Sequence, residues 1–133
     1  MERLKERFAI ARRTLESLKE LVILEHPSRV ERDAAIQRFE YTVEACWRAA
    51  QRYLLVLEGL TVGSPKGCVR ASREVGLLSE EQAVTGLEMI DDRNLTVHTY
   101  SEAVAERIYG NLRRYVGLLA SWLDAMGDRA KER

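Results

Sequence analysis

SRVERDAAIQRFEYTVEACWRAAQRYLLVLEG, residues 28–59, is the stretch that decides the fold class. Ser28-Arg29-Val30-Glu31 reads as a capping box: the Ser28 hydroxyl accepts from a backbone N–H while Glu31 reaches back to the N-cap amide. Ile36, Phe39, Val43, Cys46, Trp47, Ala50, Leu54 and Leu57 then recur at helical spacing. The stripe is wide enough to face a core, which predicts a long helix inside a bundle. Gly59, and then Gly63, end it.

The segments on either side repeat the pattern. Leu4, Phe8, Ala11, Leu15, Leu18 and Val22 alternate steps of four and three, a helix with a narrow apolar seam. It is expected to stop near Glu25, because Pro27 disfavours the helical conformation at His26. Ser64-Pro65 is an N-cap followed by proline at the first helical position, opening a short helix that ends near Gly76. Ser79-Glu80-Glu81-Gln82 is a second capping box, ahead of Val84, Leu87 and Ile90. A last helix spans roughly Ser101 to Met126 on Val104, Ile108, Leu112, Tyr115, Leu119 and Trp122, and the charged tail from Asp128 to Arg133 is expected to fray. No strand pattern, repeat or low-complexity stretch appears. The prediction is all-α: an up-and-down four-helix bundle with an additional short helix, one domain over residues 1–133.

Composition agrees. The chain of 133 residues is 46% hydrophobic and 32% charged, with only two prolines. This is the balance of a folded globular domain rather than a disordered one. The 21 basic side chains match 21 acidic ones, which gives no basis for strong non-specific binding to nucleic acid. Charge is unevenly placed, however. Residues 61–78 carry Lys66, Arg70 and Arg73 against Glu74, a local +2, and residues 79–100 carry five acids against Arg93, a local −4. No apolar run reaches the ~18–20 residues of a membrane span. The segment around Glu2, Arg3, Lys5 and Glu6 lacks the apolar core of a signal peptide. Cys46 and Cys68 make neither a disulfide framework nor a zinc site, so a reducing cytoplasm is expected. No metal and no cofactor are expected, since glycine-rich phosphate loops, serine elbows and metal-ligand clusters are all missing.

The chemistry-bearing residues gather near the end of the chain's fourth helix. His98 is one of two histidines. Placed by the Thr99–Glu102 spacing, it is expected near a helix start, beside a kink after Asp91-Asp92. An imidazole with an ordinary pKa near ~6.5 can take or give a proton at neutral pH; the plain alternative is a surface histidine. Arg93 sits five residues earlier, about 140° round a continuous helix. One straight helix would therefore splay the two apart, and a two-fold dimer would bring them together. The plain reading of Arg93 is an ion-pair partner for Glu88, Asp91 or Asp92. Lys66, Arg70 and Arg73, at i, i+4 and i+7, are candidate phosphate contacts on one helical face, or else a solvated face with intrahelical pairing. Trp47, Tyr53, Tyr115 and Trp122 read as core aromatics.

Several runs together resemble a known family: Arg38-Phe39-Glu40-Tyr41-Thr42, then Cys46-Trp47-Arg48, Ser64-Pro65, Arg70, Gly76-Leu77-Leu78, Met89, and Asp92-Arg93-Asn94-Leu95-Thr96-Val97-His98-Thr99-Tyr100. They look like the HEPN-domain proteins once called nucleotidyltransferase substrate-binding proteins, the toxin half of HEPN–MNT toxin–antitoxin modules. The resemblance covers roughly residues 30–120 and centres on the order R-N-x3-H-x-Y. It implies a homodimer with Arg93 and His98 as catalytic groups in an interface cleft that cuts RNA without a metal. It further implies Asn94 in support, a minimal nucleotidyltransferase encoded nearby as partner, and Tyr100 as the residue that partner modifies with AMP. The alternative is a non-catalytic subunit that presents a substrate to the transferase; a plain structural bundle is the third reading. One departure is local: the family often carries a tryptophan shortly before the Met-x-x-x-Arg-Asn run, where this chain has Gly86 and Leu87.

Overall fold

The computed structural model describes residues 1–98 and 101–132, and these form five helices: α1 (Glu2–Val22), α2 (Arg29–Glu58), α3 (Pro65–Glu74), α4 (Glu80–His98) and α5 (Glu102–Lys131). The Ser28 capping box forms as expected, with Ser28 Oγ accepting from the Glu31 amide at 3.1 Å and Glu31 accepting from the Ser28 amide at 2.8 Å. Gly59 closes α2 at φ +69°, a left-handed turn that a side chain would strain. Ser64 caps α3 and Ser79 caps α4.

Directions follow from cross-helix bonds. Arg38 donates to the Ser17 carbonyl and Thr42, one turn on, to the Thr14 carbonyl, so α1 and α2 run antiparallel. Glu88 meets Arg114 and Asp92 meets Arg107, so α4 and α5 do too. Arg29 and Arg32 at the start of α2 clasp Glu102 at the start of α5, and Glu58 near the end of α2 meets Arg129 near the end of α5. The long helices therefore alternate up and down, as expected. The short α3 lies antiparallel beside α4: Lys66 bridges Asp91 at 2.6 Å, and Val69 faces Gly86. Phe39, Tyr53, Tyr115 and Trp122 fill the centre, with Phe39 and Tyr115 stacked at 5.6 Å. Trp122 donates to the buried Ser72 hydroxyl, tying α5 to α3.

Gly86 explains the missing tryptophan. A Cβ there would stand 3.0 Å from a methyl of Val69, which is fully buried and stiff at χ1. The close crossing of α3 and α4 leaves no room for an indole.

Three boundary expectations need correction. Helix α1 ends at Val22, not near Glu25, because its buried stripe ends there and Ile23 is 71% exposed. The cap of α5 is Ser101, whose hydroxyl accepts from Val104; Glu102 is engaged by Arg29 and Arg32. The tail does not fray at Asp128, because Arg129 donates to the Val75 carbonyl at 2.6 Å and α5 continues to Lys131.

The Glu102 clasp should be legible in acid. The Arg32 hydrogen bonds first, then that of Arg29, hold its carboxyl down to about 2, against slight desolvation that opposes them. A depressed carboxyl stabilises fully above its ordinary value of 4.5 and loses that contribution as pH falls towards 2. A carbon-detected NMR titration should place the Glu102 midpoint near 2, and Arg32→Ala should move it up. A midpoint near the ordinary value in the parent chain would mean the clasp is not formed in solution.

Candidate functional site

Helix α4 is continuous from Glu80 through His98. His98 is thus the last residue of a helix, not near the start of one, and the helix runs on unbroken past Asp92. Its place in the last turn suits the negative end of the helix dipole. Five residues along one continuous helix set Arg93 and His98 about 140° apart around it and about 7.5 Å apart along it. His98 is exposed; Arg93 is half-buried and turns towards α2. The structure places these two groups on one helix but does not bring them to one point within a single copy. Tyr100 and Thr99 lie outside the described residues.

Arg93 does not pair with the acids nearest in sequence, because each is already engaged. Lys66 takes Asp91, Arg114 takes Glu88, and Asp92 is buried beneath Tyr115, Asn111 and Arg107. Arg93 instead reaches Glu44 on α2 at 3.5 Å. Its Nη1 donates to Asn94 Oδ1 at 3.4 Å, a long contact, and its Nε is buried with no hydrogen-bond partner among the described residues. Glu44 also accepts from Trp47 Nε1 at 2.8 Å and Arg48 Nε at 3.2 Å. Burial alone would raise the Glu44 carboxyl. The bonds from Trp47 and Arg48, with the charges of Arg48 and Arg93, outweigh it and hold the group below its ordinary value. The half-exposed Arg93–Glu44 pair contributes about 0–1 kcal/mol, so it orients the guanidinium more than it stabilises the fold.

One turn beyond Arg93, a groove of about 480 Å³ opens between α2, the end of α4 and the start of α5. Its walls include Asp33, Glu40, Tyr41, Thr96 and Val104. Tyr41 is exposed, and the Thr96 hydroxyl donates back to the Arg93 carbonyl at 2.7 Å. The Arg38–Thr42 run divides its work: Arg38 and Thr42 bind carbonyls of α1, Phe39 enters the core, and Glu40 and Tyr41 line the groove.

The basic face of α3 is only partly near this site. Lys66 stands beside α4 but is held by Asp91 across the helix pair, not by an intrahelical acid. Arg70 and Arg73 are exposed and step towards the start of α4, away from Arg93. Burial pushes the Cys46 thiol up to about 12 and the Cys68 thiol up to about 11, so both stay protonated near neutral pH. Among the described residues no three His, Cys, Asp or Glu side chains are grouped to hold a metal, and no helix is long and apolar enough to cross a membrane.

Sequence spacing missed Glu44 as the partner of Arg93 and the burial of Asp92 beneath α5. The signal for Glu44 was present: Glu44, Trp47 and Arg48 fall at i, i+3 and i+4 on one face.

The profile of the family described as "Nucleotidyltransferase substrate binding protein like" matches residues 6–128. A Thermus thermophilus protein of known crystal structure is 55% identical, with a TM-score of 0.85 over 87% of this chain and 98% of that one. The toxin–antitoxin complex MntA–HpeT is matched at 14% identity and TM-score 0.79, over 96% of this chain and 99% of that one. A tri-AMPylated Shewanella oneidensis HEPN toxin in complex with MNT antitoxin is matched at 14% identity and TM-score 0.76, over 94% of this chain and 96% of that one. At 14% identity the likeness is one of fold. No curated protein matches.

Proposed function

The chain belongs to the nucleotidyltransferase substrate binding protein-like family, and on that footing we propose that it is the HEPN partner of a minimal nucleotidyltransferase encoded nearby. In this reading residues 1–133 are one HEPN-like domain, a cytoplasmic, metal-independent endoribonuclease toxin that works as a homodimer. The observation that carries the dimer is the continuous helix from Glu80 to His98, which splays Arg93 and His98 apart within one copy. A two-fold axis beside α4 supplies the missing half of each site from the second copy.

The chemistry follows from the two groups. His98 takes the 2′-hydroxyl proton as that oxygen attacks the adjacent phosphorus. The bond to the 5′-oxygen breaks, and that oxygen is protonated as it leaves. The products are a 2′,3′-cyclic phosphate and a 5′-hydroxyl. Arg93 binds the non-bridging oxygens as their charge grows, with Asn94 steadying the guanidinium, and Lys66, Arg70 and Arg73 remain candidate contacts to flanking phosphates. Modification of Tyr100 would silence the site: its phenolate oxygen attacks the α-phosphorus of ATP, AMP is transferred and pyrophosphate leaves. The added negative charge and bulk then oppose the entry of RNA phosphate.

The engagement of Arg93 by Glu44 favours the second reading, a non-catalytic subunit that docks the transferase and presents a substrate. One experiment tests the pairing. The chain is incubated with the neighbouring transferase and ATP, and intact mass and site mapping are followed. An adduct of AMP mass that disappears in Tyr100→Phe is expected. Complex formation with no adduct, together with RNA left intact in chelator, would leave only the binding subunit.

A further inference from the structure

Away from the groove beside Thr96, four arginines converge from two helices. Arg3 and Arg7 stand one turn apart on α1, Arg48 and Arg52 one turn apart on α2, and with Gln51 and Thr61 they line a groove of about 230 Å³ whose walls carry no acid. The site is built. Arg48 lies over the Trp47 ring, 4.1 Å from its centroid, and is held by Glu44. Gln51 donates to the Val62 carbonyl at 2.7 Å, which pins the connection after α2 as one wall. Among the described residues the buried Arg52 Nε has no hydrogen-bond partner and no ion pair engages Arg3, Arg7 or Arg52. Guanidinium groups present only donors, so the groove asks for a ligand rich in acceptors, and their planar forks suit phosphate oxygens.

We propose that this arginine groove holds the phosphate backbone of the RNA strand leading away from Arg93. The continuity is structural. Glu44, Arg48 and Arg52 lie at i, i+4 and i+8 on one face of α2, a run of about 12 Å. The same Glu44 carboxylate that holds Arg48 also holds Arg93. A strand with its scissile phosphate at Arg93 meets Arg48 next, then Arg52 and the two arginines of α1. The assignment rests on the ribonuclease reading for its direction, and binding is measured separately from cleavage so that the two can fail separately.

The test uses the full chain carrying His98→Ala, so that the probe survives, and a short fluorescein-labelled single-stranded RNA of mixed sequence. Binding is followed by anisotropy across a salt series. Arg3→Gln/Arg7→Gln removes two exposed charges without touching the core; Arg48→Gln/Arg52→Gln removes the other two. Each pair should weaken binding about tenfold and flatten the log K against log salt slope by about 1.4, since each single-strand phosphate contact accounts for about 0.7. Lys19→Gln/Arg113→Gln removes two charges on another face and should change affinity by no more than about twofold. Unchanged affinity in both groove pairs overturns the proposal. Equal losses in all three pairs also overturn it, because the attraction is then general charge. If the parent binds no RNA but loses the transferase on groove substitution, the surface docks a protein and the proposal fails. If the groove pairs lose RNA binding while the chain with His98 intact never cuts the probe, the groove stands and the ribonuclease reading falls.

Discussion

Replacing Asp92 with alanine is expected to lower the unfolding free energy by about 2–4 kcal/mol, roughly 10 °C in melting temperature. The carboxylate is 1% exposed and accepts from Tyr115 Oη at 2.6 Å, Arg107 Nη2 at 3.0 Å and Asn111 Nδ2 at 3.2 Å. Alanine removes both acceptor oxygens, and with them all three hydrogen bonds, and strands the Tyr115 hydroxyl in the core. Burial first, and then this hydrogen bond, push the Tyr115 phenol well above its ordinary range, so it stays a donor at any working pH. Asp92→Asn should fall between the two, since it keeps one acceptor but aims an amide at donors. Thermal and urea melts monitored by circular dichroism give the number. A loss below about 1 kcal/mol in the alanine variant would show that the cluster does not hold α4 on α5.

The position of Asp92 makes that cluster matter to the site. It is the residue before Arg93, so the rotation of α4 that buries one carboxylate also turns the neighbouring guanidinium towards Glu44.

The larger kinetic effect is expected at His98. Its alanine variant should cut RNA about 10²–10⁴-fold more slowly while keeping its fold, since the side chain is exposed at a helix end. Arg93→Ala should lose about 10²–10³-fold. Mixing the two inactive chains separates the geometries. If each site takes Arg93 from one copy and His98 from the other, half of the dimers are mixed and each holds one intact site. About a quarter of the parent activity should then return after subunit exchange. No recovery, with exchange demonstrated by native mass spectrometry, would sink the shared site.

The family resemblance rested on order along the chain, and much of that order proves to be architecture. Phe39 in the R-F-E-Y run is core, and Arg38 and Thr42 clamp α1. Glu40 and Tyr41 face a groove that no spacing argument located. The basic stripe read from spacing, Lys66-Arg70-Arg73, has one end already paired to Asp91. The denser arginine cluster went unseen because Arg3 and Arg7 lie more than forty residues from Arg48 and Arg52.

By itself the amino-acid order determined the helices, their caps at Ser28, Ser64 and Ser79, the stop at Gly59 and the aromatic core. Each of these is set by residues within a turn or two of one another, where spacing and backbone preference act directly. Only the tertiary structure decided that Arg93 turns to Glu44, that Asp92 is buried under α5, that Arg129 ties down the tail and that four arginines share one wall. Those depend on how each helix is rotated about its own axis against its neighbours, and many side chains packing together settle that rotation.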